Sequence, residues 1–175
     1  MYGPQELGDV TGIDKTASKP IPSWLAHVVW AVHRAMYRIT RGRLGLWRPK
    51  PDRWGAMRLK TMGRRTGMER VAILGYFGDG PNLVAMAMNG WLDPEPKWWL
   101  NLQANPEAIA ELPGGARAVR ARAAQGDERS RLWAKWREVY AIGNLDAHAT
   151  LRSGETAVVI LEPVSPSPAS SHPDD

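Results

Sequence analysis

The chain has 175 residues and a mass of 19.4 kDa, with 23 Lys and Arg against 18 Asp and Glu, four His and no Cys. That is one domain's length, able to hide about 70% of its unfolded surface, and a hydrophobic content of 43% fits a folded protein. Lack of Cys excludes disulfides, thiolate metal sites, iron–sulfur clusters and cysteine nucleophiles. No apolar run reaches the ~18 residues of a membrane span, and the polar first 19 residues do not read as a signal peptide, so a cytoplasmic protein is expected.

Residues 1–21 contain Gly and Pro without periodicity and read as a loose lead-in. Residues 22–41 predict an amphipathic helix: Leu25, Val28, Val29, Val32, Met36 and Ile39 recur at three- and four-residue spacing, with Gly42 just beyond. His27, Arg34, Arg38 and Arg41 fall on another face. With the Pro- and Arg-rich connector 42–54 this makes a segment 22–54, followed by a barrel domain 55–164 and a Pro/Ser-rich tail 165–175 read as disordered.

Charge is concentrated. From Arg34 to Arg70 there are twelve Lys and Arg and two acids, a net +10 in a chain whose total is +5. Such a segment implies an anionic partner: a phosphorylated small molecule, an anionic membrane or nucleic acid. Nucleic acid fits least, because aromatic residues do not interleave with the arginines as a single-strand platform requires.

Beyond residue 54 the pattern is that of strands. Ala56–Met62 is followed by the turn Gly63-Arg64-Arg65-Thr66-Gly67, then Arg70–Phe77, a loop over residues 78–82, and Leu83–Met88. Asp93-Pro94 predicts a helix start with Asp as N-cap and Pro at the first position, and Pro106 ends that helix. Glu107–Leu112 and Ala116–Ala123 form a second hairpin, in which Val119, Ala121 and Ala123 alternate with Arg120 and Arg122. Asp127 is read as the cap of another helix, with Leu132, Trp133, Trp136, Val139 and Tyr140 on one stripe. Thr156–Leu161 is a last apolar strand. Hairpins pair antiparallel and βαβ alternation is missing, so an α+β fold is expected: a six-stranded antiparallel barrel with flanking helices.

The sharpest motif is Gly63-Arg64-Arg65-Thr66-Gly67 with Arg70 behind it. Glycines let backbone N–H groups face outward, Thr adds a hydroxyl, and three Arg supply forked donors suited to phosphate or carboxylate oxygens. The bland alternative is a solvated basic hairpin turn. It is no Walker loop, since the Gly-Lys-Ser/Thr ending is absent. No His, Asp or Glu spacing of the metal type appears, and Ser130 and Ser153 have no convincing His partner for a hydrolase triad.

The runs LKTMGRRTGMERVAILGYFGDGPNLVAMAMNG, WWLNLQANPEAIAEL, ARAAQGDERSRLWAKW and VVILEPV, in this order, resemble the deazaflavin-dependent nitroreductase and quinone reductase family, over roughly residues 57–164. The resemblance implies the split β-barrel, flavin-reductase-like fold and coenzyme F420 as cofactor. It places the phosphate and acidic tail of the coenzyme on Arg64, Arg65, Thr66, Gly67 and Arg70. It also sets Met88, Asn89, Gly90 and Trp91 beside the deazaflavin ring, and Trp98 at the mouth of the pocket. There are departures. Met88-Asn89-Gly90-Trp91 lacks the hydroxyl that the family usually carries near the ring, Glu95-Pro96-Lys97 replaces its His-Pro, and Tyr140 stands alone where the family is rich in Tyr.

The implied activity is hydride transfer from reduced F420 to a quinone-like, nitroaromatic or otherwise activated acceptor. Tyr140, Tyr76 or water are the candidate proton donors, although a Tyr on a helix stripe is also a natural packing residue. The alternative is a non-catalytic barrel that binds F420 or a flavin-like ligand, associated with a membrane through residues 22–50, where Trp24 and Trp30 lie beside the basic stripe. Members of this fold often dimerise, and a homodimer is compatible with the sequence.

Overall fold

Alternating burial fixes the first strand. In β1 (Gly55–Met62) Met57, Leu59 and Thr61 point inward, while Arg58, Lys60 and Met62 stand on the outer face. The computed structural model describes residues 45–164. The lead-in 1–21, the helix expected over 22–41 and the tail 165–175 lie outside the described residues.

β2 (Glu69–Asp79) returns antiparallel to β1, pairing Met62 with Glu69 and Gly55 with Tyr76. It turns tightly through Gly80-Pro81, with Gly80 at φ +58°, into β3 (Asn82–Met86). A second hairpin joins β4 (Glu107–Leu112) to β5 (Gly115–Ala123), and β6 (Val158–Pro163) fits between β3 and β5. The order β1-β2-β3-β6-β5-β4 closes when β4 pairs with β1, so the sheet has no unpaired edge. The expected six-stranded antiparallel barrel is therefore present.

Two cores result. Inside the barrel Met57, Leu59, Leu83, Ala85, Val119 and Leu161 pack together, and Trp98, Trp99 and Leu102 join them. The latter three come from α1 (Lys97–Ala104). Outside, Phe77, Val84 and Ile160 meet Leu132, Trp136 and Val139 of α2 (Gly126–Val139), with the Phe77 and Trp136 rings edge-to-face at 5.1 Å. On the outer wall Arg58 sits opposite Glu111 in register, and Glu111 also binds Lys60 at 3.0 Å.

Helix starts differ from the sequence reading. α1 begins at Lys97 rather than Pro94. Asp93 is committed elsewhere, accepting the Ser153 N–H at 3.0 Å, and Glu95 precedes a proline, which disfavours helical backbone there. α2 begins at Gly126, so Asp127 lies in its first turn, favouring the helix dipole instead of capping it. β3 stops two residues short of Met88. A short helix, α3 (Leu145–Ala149), was not anticipated; Asn144 caps it by accepting the Ala147 N–H at 3.1 Å.

Candidate functional site

At the end of β1 the chain reverses through residues 63–68. Gly63 donates its N–H to the Met68 carbonyl at 2.8 Å, and the Gly67 and Thr66 N–H groups return to the Gly63 carbonyl at 2.8 and 3.2 Å. Gly67 has φ +64°, and a Cβ on Gly63 would lie 3.0 Å from the Met68 oxygen, so the closed loop depends on both glycines. Thr66 Oγ1 accepts from the Met68 N–H and from Arg70 Nη2, each at 3.4 Å.

The loop is fastened to α1 by a buried side chain. Asn101 Oδ1 accepts the Arg64 N–H at 3.2 Å and Arg64 Nη1 at 3.5 Å, while its Nδ2 donates to Thr61 Oγ1 at 3.2 Å. Arg64, Arg65 and Arg70 are exposed and form no ion pair among the described residues. Elsewhere Arg122 is held by Glu128 and Glu162, Arg131 by Asp79, and Arg137 by Asp146. Uncompensated positive charge is thus gathered on a braced loop, which suits a multiply anionic ligand.

The second part of the site follows β3, at the same end of the barrel. Asn89, Gly90 and Trp91 have φ of +46°, +65° and +64° in succession. That region is costly for a bulky residue such as Trp, and it persists only where surroundings impose it. Here Asn89 Nδ2 donates to the carbonyls of Leu92 and Pro94 at 3.2 and 2.8 Å, and the Trp91 N–H donates to Met88 O at 2.7 Å. Buried Arg152 donates through Nη1 to Ala87 O at 2.7 Å and Thr156 Oγ1 at 3.1 Å. Hydrogen bonds from Ser153 hold the Asp93 carboxyl below its ordinary value, with Arg152 adding to the effect.

Trp91 Nε1 donates to the Tyr140 hydroxyl at 2.8 Å, and that hydroxyl lies 2.9 Å from His148 Nδ1. The Trp91 and Tyr140 rings meet edge-to-face at 6.0 Å, and burial pushes the Tyr140 hydroxyl pKa up, against the opposing Trp91 hydrogen bond. Trp91 thus meets two residues of a segment 49 or more positions further along the chain, in a line of polar atoms that is buried at Trp91 and Tyr140 and half-buried at His148.

Of the sequence-derived residues, Arg64, Arg65, Thr66 and Gly67 share one loop, and Arg70 stands just behind it at the start of β2. Asn89, Gly90 and Trp91 share one turn, and half-buried Met88 packs against the outer core. Trp98 lies in the barrel core, as does Trp99. Tyr140 joins Trp91. Tyr76 does not join them: it is buried in the barrel core opposite Gly55, the full length of β1 or roughly 20 Å from the basic loop. Burial raises its pKa, against nearby Arg117 and Arg48.

Sequence reasoning missed Asn101, Arg152 and His148. Asn101 carried a legible signal, a lone amide beside Trp98, Trp99 and Leu102 in a predicted helix. The other two carried none, because their partners are 65 and 8 residues away across an unpredicted helix and turn.

A closed six-stranded antiparallel barrel with a basic loop and an aromatic turn at one end is a split β-barrel of the cofactor-binding kind. The sequence model of the F420H(2)-dependent quinone reductase family matches residues 30–163, and the chain belongs to that family. It is 32% identical over 105 residues to the Mycobacterium tuberculosis protein Rv3178, covering 60% of this chain and 87% of that one. It is 32% identical over 104 residues to the F420H(2)-dependent quinone reductase Rv1261c of the same organism, covering 58% and 68%. The solved structure of the F420-H2-dependent reductase FDR-A shares the fold, with a TM-score of 0.54 at 23% identity over 61% of this chain and 93% of that one.

The family's cofactor is coenzyme F420, which carries a phosphodiester and a string of carboxylates. The donor set on residues 63–70 fits such a group.

Proposed function

We propose that this protein is an F420-dependent oxidoreductase that reduces quinone-like acceptors, with nitroaromatic and other electron-poor compounds as further substrates. The observation that carries the reading is the braced segment of residues 63–70, whose three guanidinium groups have no carboxylate partner among the described residues and suit a phosphate and carboxylates. When bound, the reduced deazaflavin supplies a hydride to an electron-poor acceptor.

The chain's own residues do the rest. Arg64, Arg65, Thr66 and Arg70 hold the anionic part of the coenzyme, and Gly67 gives the loop its turn. Met88, Asn89, Gly90 and Trp91 form the wall beside the ring, and Trp98 closes the barrel beneath it. Tyr140 is the candidate proton donor, since its hydroxyl meets Trp91 of that wall; Tyr76 belongs to the barrel core instead, and no hydrogen bond joins it to that wall among the described residues. Lack of a hydroxyl at Met88 favours the second reading, a barrel that binds F420 without turnover.

Membrane contact through residues 22–50 is supported by the clustered positive charge and by exposed Trp47, which lines an open concavity with Arg48, Lys50 and Arg53. No helix among the described residues is long and apolar enough to cross a membrane. Exposed Val71 and Ile109, which flank Lys60 across β2, β1 and β4, support a homodimer.

The test is fluorescence titration of oxidised F420, followed by mixing with reduced F420 and menadione while absorbance of the cofactor is followed. Binding with acceptor-dependent oxidation is expected. Binding without turnover would establish the second reading, and absence of binding would overturn both.

A further inference from the structure

An indole N–H can only donate, whereas a phenolic oxygen can both accept and donate. With Trp91 Nε1 donating to Tyr140 at 2.8 Å, the hydroxyl's own hydrogen has one acceptor within reach among the described residues, His148 Nδ1 at 2.9 Å. That direction requires a neutral imidazole carrying its hydrogen on Nε2. Protonated His148 carries hydrogen on both nitrogens, so Nδ1 becomes a donor and the Tyr140 oxygen accepts twice. The phenolic hydrogen is then turned out of the chain and is free for a third partner.

We infer that His148 is a positioning residue that sets the direction of the Tyr140 hydroxyl, withholding its proton when neutral and releasing it when charged. His148 is half-buried, and its ring lies against Gly143, where a Cβ would come within 3.4 Å of Cε1. The Trp91 ring meets it at 6.0 Å and the Tyr140 ring at 5.8 Å. Charged groups on the surrounding elements are engaged elsewhere. Asp146, on its own helix, accepts from Trp133 and Arg137. Arg152 is turned to Ala87 and Thr156. The one covalent change is the N–H bond that Nδ1 forms with a proton taken from solvent; everything else is a change of hydrogen-bond direction. The consequence for turnover rests on the proposed reading, in which Tyr140 supplies the proton; the hydrogen-bond direction does not.

The experiment is nitrogen NMR of the full chain labelled at His and Trp, with His148→Asn as the assigning variant, since its Oδ1 accepts where Nδ1 does but does not titrate. Above its ionisation His148 is expected as the Nε2–H tautomer, and the Trp91 indole resonance is expected to move as His148 protonates and to stay fixed in His148→Asn. The Nδ1–H tautomer, or the same pH-dependent Trp91 shift in the variant, would overturn the inference. In parallel, kcat with reduced F420 and menadione should fall at least 5-fold as pH rises through one ionisation, with KM little changed, and that limb should vanish in His148→Asn. A limb that survives the substitution also overturns it. Failure of the wild-type protein to bind F420 would remove the functional reading alone, because the NMR result stands without coenzyme.

Discussion

Asn101 and Arg64, 37 residues apart, are joined twice: one amide oxygen on α1 accepts both the main-chain N–H and the guanidinium of Arg64. The basic loop is therefore anchored to the helix that also fills the barrel with Trp98, Trp99 and Leu102. Asn101→Ala should weaken F420 binding about 10-fold through loss of loop order. It should also destabilise the fold by about 1–3 kcal/mol, the cost of leaving buried polar partners unmet. Thermal unfolding and fluorescence titration of one variant check both; an unchanged melting temperature would contradict the bracing role.

Arg65→Ala separates binding from folding. Its guanidinium is exposed and has no partner among the described residues. The substitution should leave the melting temperature within about a degree and weaken F420 binding about 10-fold or more, since a charge-assisted contact contributes about 1.5–3 kcal/mol. Unchanged affinity would remove the phosphate site from this loop.

Tyr140→Phe keeps the ring and deletes the acceptor of the Trp91 N–H. The orphaned indole should cost about 1–3 kcal/mol in urea unfolding. If Tyr140 is the proton donor, kcat should fall about 100-fold, within the usual range for acid–base catalysis, with F420 affinity nearly unchanged. A kcat close to that of the wild type would assign the proton to water.

Acid should destabilise the protein through its paired carboxyls. Arg131 grips Asp79 with two hydrogen bonds at 2.9 and 2.8 Å and holds that carboxyl below its ordinary value. Burial alone would raise the Glu111 carboxyl, but Lys60 and Arg58 outweigh it and hold it low. In both cases the unfolded chain takes up a proton before the folded chain does. Stability is therefore full above the unfolded value, about 4, and declines as pH falls through the lower folded values. Urea unfolding from pH 7 to 3 should show that decline, with a shallower slope in Asp79→Asn.

Much of the barrel was legible because each hairpin carries its own instruction. β4 was bounded correctly at both ends by Pro106 and by Pro113-Gly114, and the alternation of Val119 and Ala121 with Arg120 and Arg122 fixed the faces of β5. The basic loop was equally plain, since glycines and arginines are packed into eight positions. What could not be read depends on contacts across the fold. Asp93 looks like a helix cap until Ser153, 60 residues on, takes its carboxylate. Trp91 in a left-handed turn runs against its own steric preference and is understood only with Tyr140 beside it. His148 gave no signal, because a helix of five residues is too short to show periodicity.

Length itself is constrained at α1. One inserted residue would rotate everything beyond it by about 100°, turning Asn101 away from Arg64 while Trp98 stayed in place. The Gly80-Pro81 and Pro113-Gly114 turns face no such limit, so this architecture can vary in size at the far end of the barrel but must keep count along one eight-residue helix.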